Sequence, residues 1–134
     1  MKISEKQLNK IKQIAEKYQL KLVLLFGSRV DEKMVYPDSD YDIAYLPEKS
    51  FDFEKECYLN FEFTNVMPSD KVDTVDLRKA SPLLLKMIFD NAQTLYKEDE
   101  MIFPTYQSYA FKKFIESKPL YELKHQRLRE KLKK

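Results

Sequence analysis

The chain has 134 residues, 43% hydrophobic and 34% charged, with a formal net charge of +2. That length suits a single domain burying roughly two-thirds of its unfolded surface, and the small net charge gives no reason to expect direct nucleic-acid binding. A lone cysteine, Cys57, excludes an internal disulfide, and a lone histidine, His125, excludes a zinc site of clustered Cys and His.

Ser4 with Gln7 three residues on forms a capping-box pattern, and Leu8, Ile11, Ala15 and Tyr18 then follow helical spacing to about Gln19. Leu20 to Phe26 is apolar throughout except Lys21, the pattern of a strand buried on both faces. Ser28 can cap a short helix through about Met34, Pro37 and Asp38 mark a turn, and Tyr41 to Leu46 resumes strand character. From Phe51 to about Val66 the pattern is helical, and Phe53, Cys57, Tyr58, Phe61 and Phe63 are expected to pack in the core. Lys71 to Leu77 reads as a third strand, Pro82 opens an apolar helix, and a short Thr94-Leu95-Tyr96 segment follows. The last third is expected as a helix from Tyr106 to about Ser117, a break at Pro119, and a basic helix to the end. Residues 121–134 hold six cations against Glu122 and Glu130, and this stretch reads equally well as a solvated face or as a docking surface. Met1 to Lys6 lacks a signal-peptide core, and no apolar run reaches the roughly 20 residues of a membrane span. The expectation is one cytoplasmic domain over residues 1–134, with a helical extension from about 104 and no membrane contact.

Gly27 is the only glycine, where roughly 7% usage would give about nine. Placed between a strand and a helix, it marks a position where a side chain is not tolerated, and such a junction commonly binds phosphate. Asp40 and Asp42 stand at alternate positions of the next strand, so both carboxylates reach one face. Like charges so placed call for a cation, and magnesium takes one or two carboxylates together with substrate phosphates. A third acid is expected from the next strand, where Asp73 and Asp76 lie on opposite faces. Asp73 is favoured because Asp76 sits beside Arg78, where a solvated ion pair is the ordinary explanation.

Together, Gly27-Ser28, Ser39-Asp40-Tyr41-Asp42 and the acid of Val72-Asp73-Thr74-Val75-Asp76-Leu77 resemble the polymerase-beta type of nucleotidyltransferase. The chain is similar, more closely, to the minimal nucleotidyltransferase (MNT) antitoxins that partner HEPN ribonuclease toxins. The resemblance implies an α/β (α+β) fold, a small mixed sheet flanked by helices with further helices at the C-terminus. It also implies transfer of AMP from ATP, with magnesium, to a tyrosine of the HEPN toxin. Gly27, Ser28 and Arg29 would then bind nucleotide, while Asp40, Asp42 and Asp73 would hold the metals and carry catalysis. A binding-only antitoxin and an enzyme modifying a small-molecule hydroxyl are the alternatives. One departure from the family is that Arg29-Val30-Asp31-Glu32-Lys33 lacks the glycine usual after the arginine.

Overall fold

The computed structural model describes residues 3–27, 41–69 and 71–132. Its elements are α1 (Glu5–Tyr18), β1 (Leu20–Phe26), β2 (Tyr41–Pro47), α2 (Phe53–Val66), β3 (Val72–Asp76), α3 (Pro82–Asn91), β4 (Gln93–Lys97) and α4 (Ile102–Leu132). The helix expected after Ser28 and the turn at Pro37-Asp38 lie outside the described residues. The four strands form a mixed sheet in the order β3-β2-β1-β4, with β1 antiparallel to both β2 and β4 and β2 parallel to β3. The segment around Leu95 is therefore a paired edge strand.

Strand alternation assigns the two faces. Val23, Leu25, Tyr41, Ile43, Tyr45 and Val72 pack against Ile11, Ile14, Ala15 and Tyr18 of α1 and Leu59 and Phe63 of α2. Leu22, Leu24, Ala44, Leu46 and Leu77 pack against Leu85, Ile88 and Phe89 of α3 and the first half of α4. Leu20 and Leu22 would share a face by simple alternation; the register irregularity between them sends one to each side. β1 is thus buried on both faces, as its apolar run implies.

The capping box at Ser4 is formed: its Oγ accepts from the Gln7 backbone N–H at 3.2 Å, and Gln7 Oε1 accepts from the Ser4 N–H at 2.9 Å. The helix ends at Gln19, a non-glycine residue held left-handed at φ 56°, ψ 49°. An L side chain in that conformation costs roughly 1–2 kcal/mol that glycine avoids. Gln19→Gly is therefore expected to stabilise the protein by about 1 kcal/mol, partly offset by the entropy of the unfolded chain, with a higher denaturation midpoint in urea at unchanged slope.

Two expectations about helices are corrected. In α2 only Leu59 and Phe63 are buried; Phe53 is 80% exposed and Cys57, Tyr58 and Phe61 are also exposed, because the apolar residues are spread round the helix among polar ones while only one side meets the sheet. In α4 there is no break at Pro119, and the helix runs through it. Proline's fixed φ is compatible with a helix, and Ile115, whose carbonyl loses its donor there, lies on an exposed flank that water can reach.

Candidate active site

The C-terminal end of β1 meets the N-terminal ends of β2 and β3, and three of the singled-out residues converge there. Phe26 is the register partner of Asp42, and Asp42 is the register partner of Asp73. Partners in neighbouring strands lie about 5 Å apart with side chains on one face, so Asp42 and Asp73 present adjacent carboxylates. Their face is the one that carries Ala44, Leu46 and Val75 toward α3 and α4. Asp42 is half-buried and Asp73 exposed.

Gly27 follows at φ +85°, a conformation L side chains rarely adopt. A Cβ built on it would collide with the Asp42 carboxylate, lying 3.2 Å from Cγ and 3.4 Å from Cβ of that residue. The lone glycine is thus required twice, for its dihedral and for the space Asp42 fills. Ser28, Arg29 and Asp40 lie outside the described residues. Among the described residues no group of three or more acids, cysteines or histidines comes together.

The β2–β3 ladder is pinned at both ends. The Tyr41 N–H donates to the Lys71 carbonyl at 3.1 Å, and the Leu77 N–H donates to the Tyr45 carbonyl at 2.9 Å. On the outer edge of β3, the Asn60 side-chain amide from α2 donates to the Val72 carbonyl at 2.9 Å and to the Thr74 hydroxyl at 3.2 Å. Asn60 therefore grips β3 on either side of Asp73. Sequence reasoning missed this residue; the available signal was an amide amid the aromatic run of α2.

Asp76 is on the other face, paired in register with Tyr45. It is no solvated ion pair: it is 6% exposed, its Oδ1 accepts from the Arg78 N–H at 2.8 Å, and its Oδ2 has no hydrogen-bond partner. The Arg78 guanidinium is turned instead to the carbonyls of Pro47 at 2.9 Å and Glu48 at 2.5 Å. Burial raises the Asp76 pKa above the usual carboxylate value, against the lowering effects of the Arg78 N–H and Lys79. Nearby, Lys79 is ion-paired with Glu56. These contacts tie together the far ends of β2 and β3.

A four-stranded mixed sheet between two helical layers, with a glycine abutting one of two in-register aspartates, defines a nucleotidyltransferase framework. The family model for Polymerase beta, Nucleotidyltransferase matches residues 9–101, and the chain belongs to that family. Among solved structures, a chain of a toxin–antitoxin complex with AMP-PNP is similar with a TM-score of 0.71 and 23% identity, covering 95% of this chain and 98% of that one. A chain from the complex of tri-AMPylated Shewanella oneidensis HEPN toxin with MNT antitoxin is similar with a TM-score of 0.68 and 22% identity, covering 97% and 98%. Spectinomycin adenyltransferase AAD(9) from Enterococcus faecialis, solved with ATP and spectinomycin, is a more distant likeness: a TM-score of 0.50 and 13% identity over 73% of this chain and 58% of that one. No curated protein matches the sequence.

Proposed function

We propose that the protein is an antitoxin that neutralises a HEPN ribonuclease by transferring AMP from ATP to a tyrosine of that toxin. The observation that carries this reading is the in-register pair Asp42 and Asp73 beside Gly27 in a chain of the nucleotidyltransferase family. Likeness to a chain of the Shewanella complex of tri-AMPylated HEPN toxin with MNT antitoxin, along nearly the full length of both chains, supports the choice of a HEPN toxin as acceptor. The absence of any helix long and apolar enough to cross a membrane, among the described residues, is compatible with action in the cytoplasm.

The donor set suits magnesium in kind: two carboxylates about a strand spacing apart, one half-buried and one exposed. Asp40, Asp42 and Asp73 would hold the metal. Magnesium, when bound, supplies positive charge that offsets the charge of the triphosphate. The chain's own groups do the rest. Gly27 leaves the space that the Asp42 carboxylate fills, and Ser28 and Arg29 would supply a hydroxyl and a guanidinium to the triphosphate. Asp73, the more exposed of the two, would accept the proton of the acceptor hydroxyl as that oxygen attacks the α-phosphorus and diphosphate leaves.

The test is intact-mass spectrometry of the HEPN protein after incubation with this chain, ATP and magnesium, beside the Asp40→Asn, Asp42→Asn variant. Mass added in AMP steps by the wild type alone is the expected result. Inhibition of the ribonuclease without any mass change would sink the transfer reaction and leave a binding-only antitoxin.

A further inference from the structure

Asp73 has no side-chain anchor of its own. Among the described residues nothing bonds or ion-pairs its carboxylate, so the place of that group is decided by the backbone of β3. β3 is five residues long and ends the sheet order, so β2 is the one strand that pairs with it. Along a strand, alternate residues turn their N–H and C=O to opposite sides. The Lys71 carbonyl accepts from Tyr41 and the Leu77 N–H donates to Tyr45, which gives Asp73 and Val75 to the ladder with β2 and turns Val72 and Thr74 outward. A short strand held on one side opens more readily than a central one.

Asn60 closes the open side. Its amide nitrogen lies 2.9 Å from the Val72 carbonyl and 3.2 Å from the Thr74 hydroxyl, on the two residues that bracket Asp73. A carbonyl can only accept, which fixes the amide with its NH2 group toward the strand. The platform behind it is firm. Leu59 and Phe63 of the same helix are fully buried against the sheet, and the Thr64 hydroxyl donates to the Asn60 carbonyl at 2.8 Å. Among the described residues no other side chain bonds the outward groups of Val72 and Thr74. α2 packs on the face of the sheet opposite the one that carries Asp42 and Asp73, so Asn60 reaches the candidate site only through the strand.

We propose that Asn60 is a positioning residue for AMP transfer: by holding Val72 and Thr74 it fixes β3, and with it the place of the Asp73 carboxylate beside Asp42. The proposal rests on the reading above, in which Asp73 takes part in the reaction. A contact that served stability alone would lower the melting temperature on removal and leave the rate constant of the folded protein unchanged.

Single-turnover AMP transfer to the HEPN ribonuclease, measured on fully folded protein, tests this. Asn60→Asp keeps the shape and removes the N–H donors. It is expected to slow transfer at least about tenfold, since a displacement of about 1 Å at reacting groups can cost about a hundredfold. Thr74→Val removes only the longer contact and is expected to cost less. In an Asp73→Asn background, Asn60→Asp should bring no further loss of the residual rate, while its effect on the melting temperature should be the same in both backgrounds. Amide hydrogen exchange reads the strand without the reaction: Asp73 and Val75 should exchange about fivefold faster or more in Asn60→Asp, with Val23 and Leu25 unchanged. Asn60→Ala carries the same comparisons if Asn60→Asp does not fold. A wild-type rate in the Asn60 variant, unchanged exchange at Asp73 and Val75, or an equal fold loss in the Asp73→Asn background overturns the proposal. A wild-type rate in the Asn60 variant beside an inactive Asp73→Asn strikes this proposal alone, whereas no transfer by the wild-type chain removes the enzymatic reading and the proposal together.

Discussion

Gly27→Ala is expected to lower AMP transfer by about 100-fold or more while the protein stays folded. The added methyl group would meet the Asp42 carboxylate, with Cγ already at 3.2 Å, so that carboxylate has to leave its position beside Asp73. A displacement of about 1 Å at a reacting centre is enough for a hundredfold loss, which corresponds to roughly 2.7 kcal/mol in the activation barrier. The φ of +85° adds a stability cost of about 1–2 kcal/mol for any L side chain. The two effects separate experimentally, because strain alone lowers the melting temperature without changing the rate constant of the folded fraction. Single-turnover transfer at a temperature where the variant is fully folded, alongside its melting curve, is the measurement. A wild-type rate there would mean that the position of Asp42 does not matter to the reaction.

Much of this arrangement is legible in the sequence. Strand parity alone separates Asp73 from Asp76, and the scarcity of glycine singles out Gly27, because each depends only on local geometry that one strand imposes. The apolar run of β1 and the Ser4–Gln7 box were readable for the same reason. What escaped depends on partners distant in sequence. Gln93–Lys97 becomes a strand only because the edge of β1 is available to it. The exposed side of α2 could not be chosen from a sequence whose apolar residues are spread round the helix; the sheet lies under Leu59 and Phe63, leaving Phe53 and Phe61 outside. Asp76 looked like a surface acid beside Arg78, yet the arginine's reach to the Pro47 and Glu48 carbonyls, made by the β2–β3 pairing, leaves it buried without a guanidinium partner.

That contrast between two aspartates three residues apart yields the other large effect. Asp73→Asn is expected to reduce AMP transfer by at least about 100-fold with little change in stability, since the side chain is exposed and faces Asp42. Asp76→Asn is expected to leave transfer near wild type and to raise stability at neutral pH. Its amide oxygen can still accept from the Arg78 N–H, while the ionised oxygen that had no partner is gone. The pH dependence follows from the raised pKa of Asp76, caused chiefly by burial. Because the folded state then holds the proton more tightly than the unfolded state, this carboxyl favours folding below its ordinary value of 3.8. That contribution is lost as pH climbs from there through the folded-state pKa. The melting-temperature advantage of Asp76→Asn should therefore be largest at pH 7 and shrink as the pH falls toward 4. Glu56, Lys79 and Tyr45 surround the site and are present in both proteins, so the difference between the two curves reports Asp76 together with its coupling to these neighbours. A loss of transfer in Asp76→Asn together with full transfer in Asp73→Asn would exchange their roles and place the chemistry on the other face of the sheet.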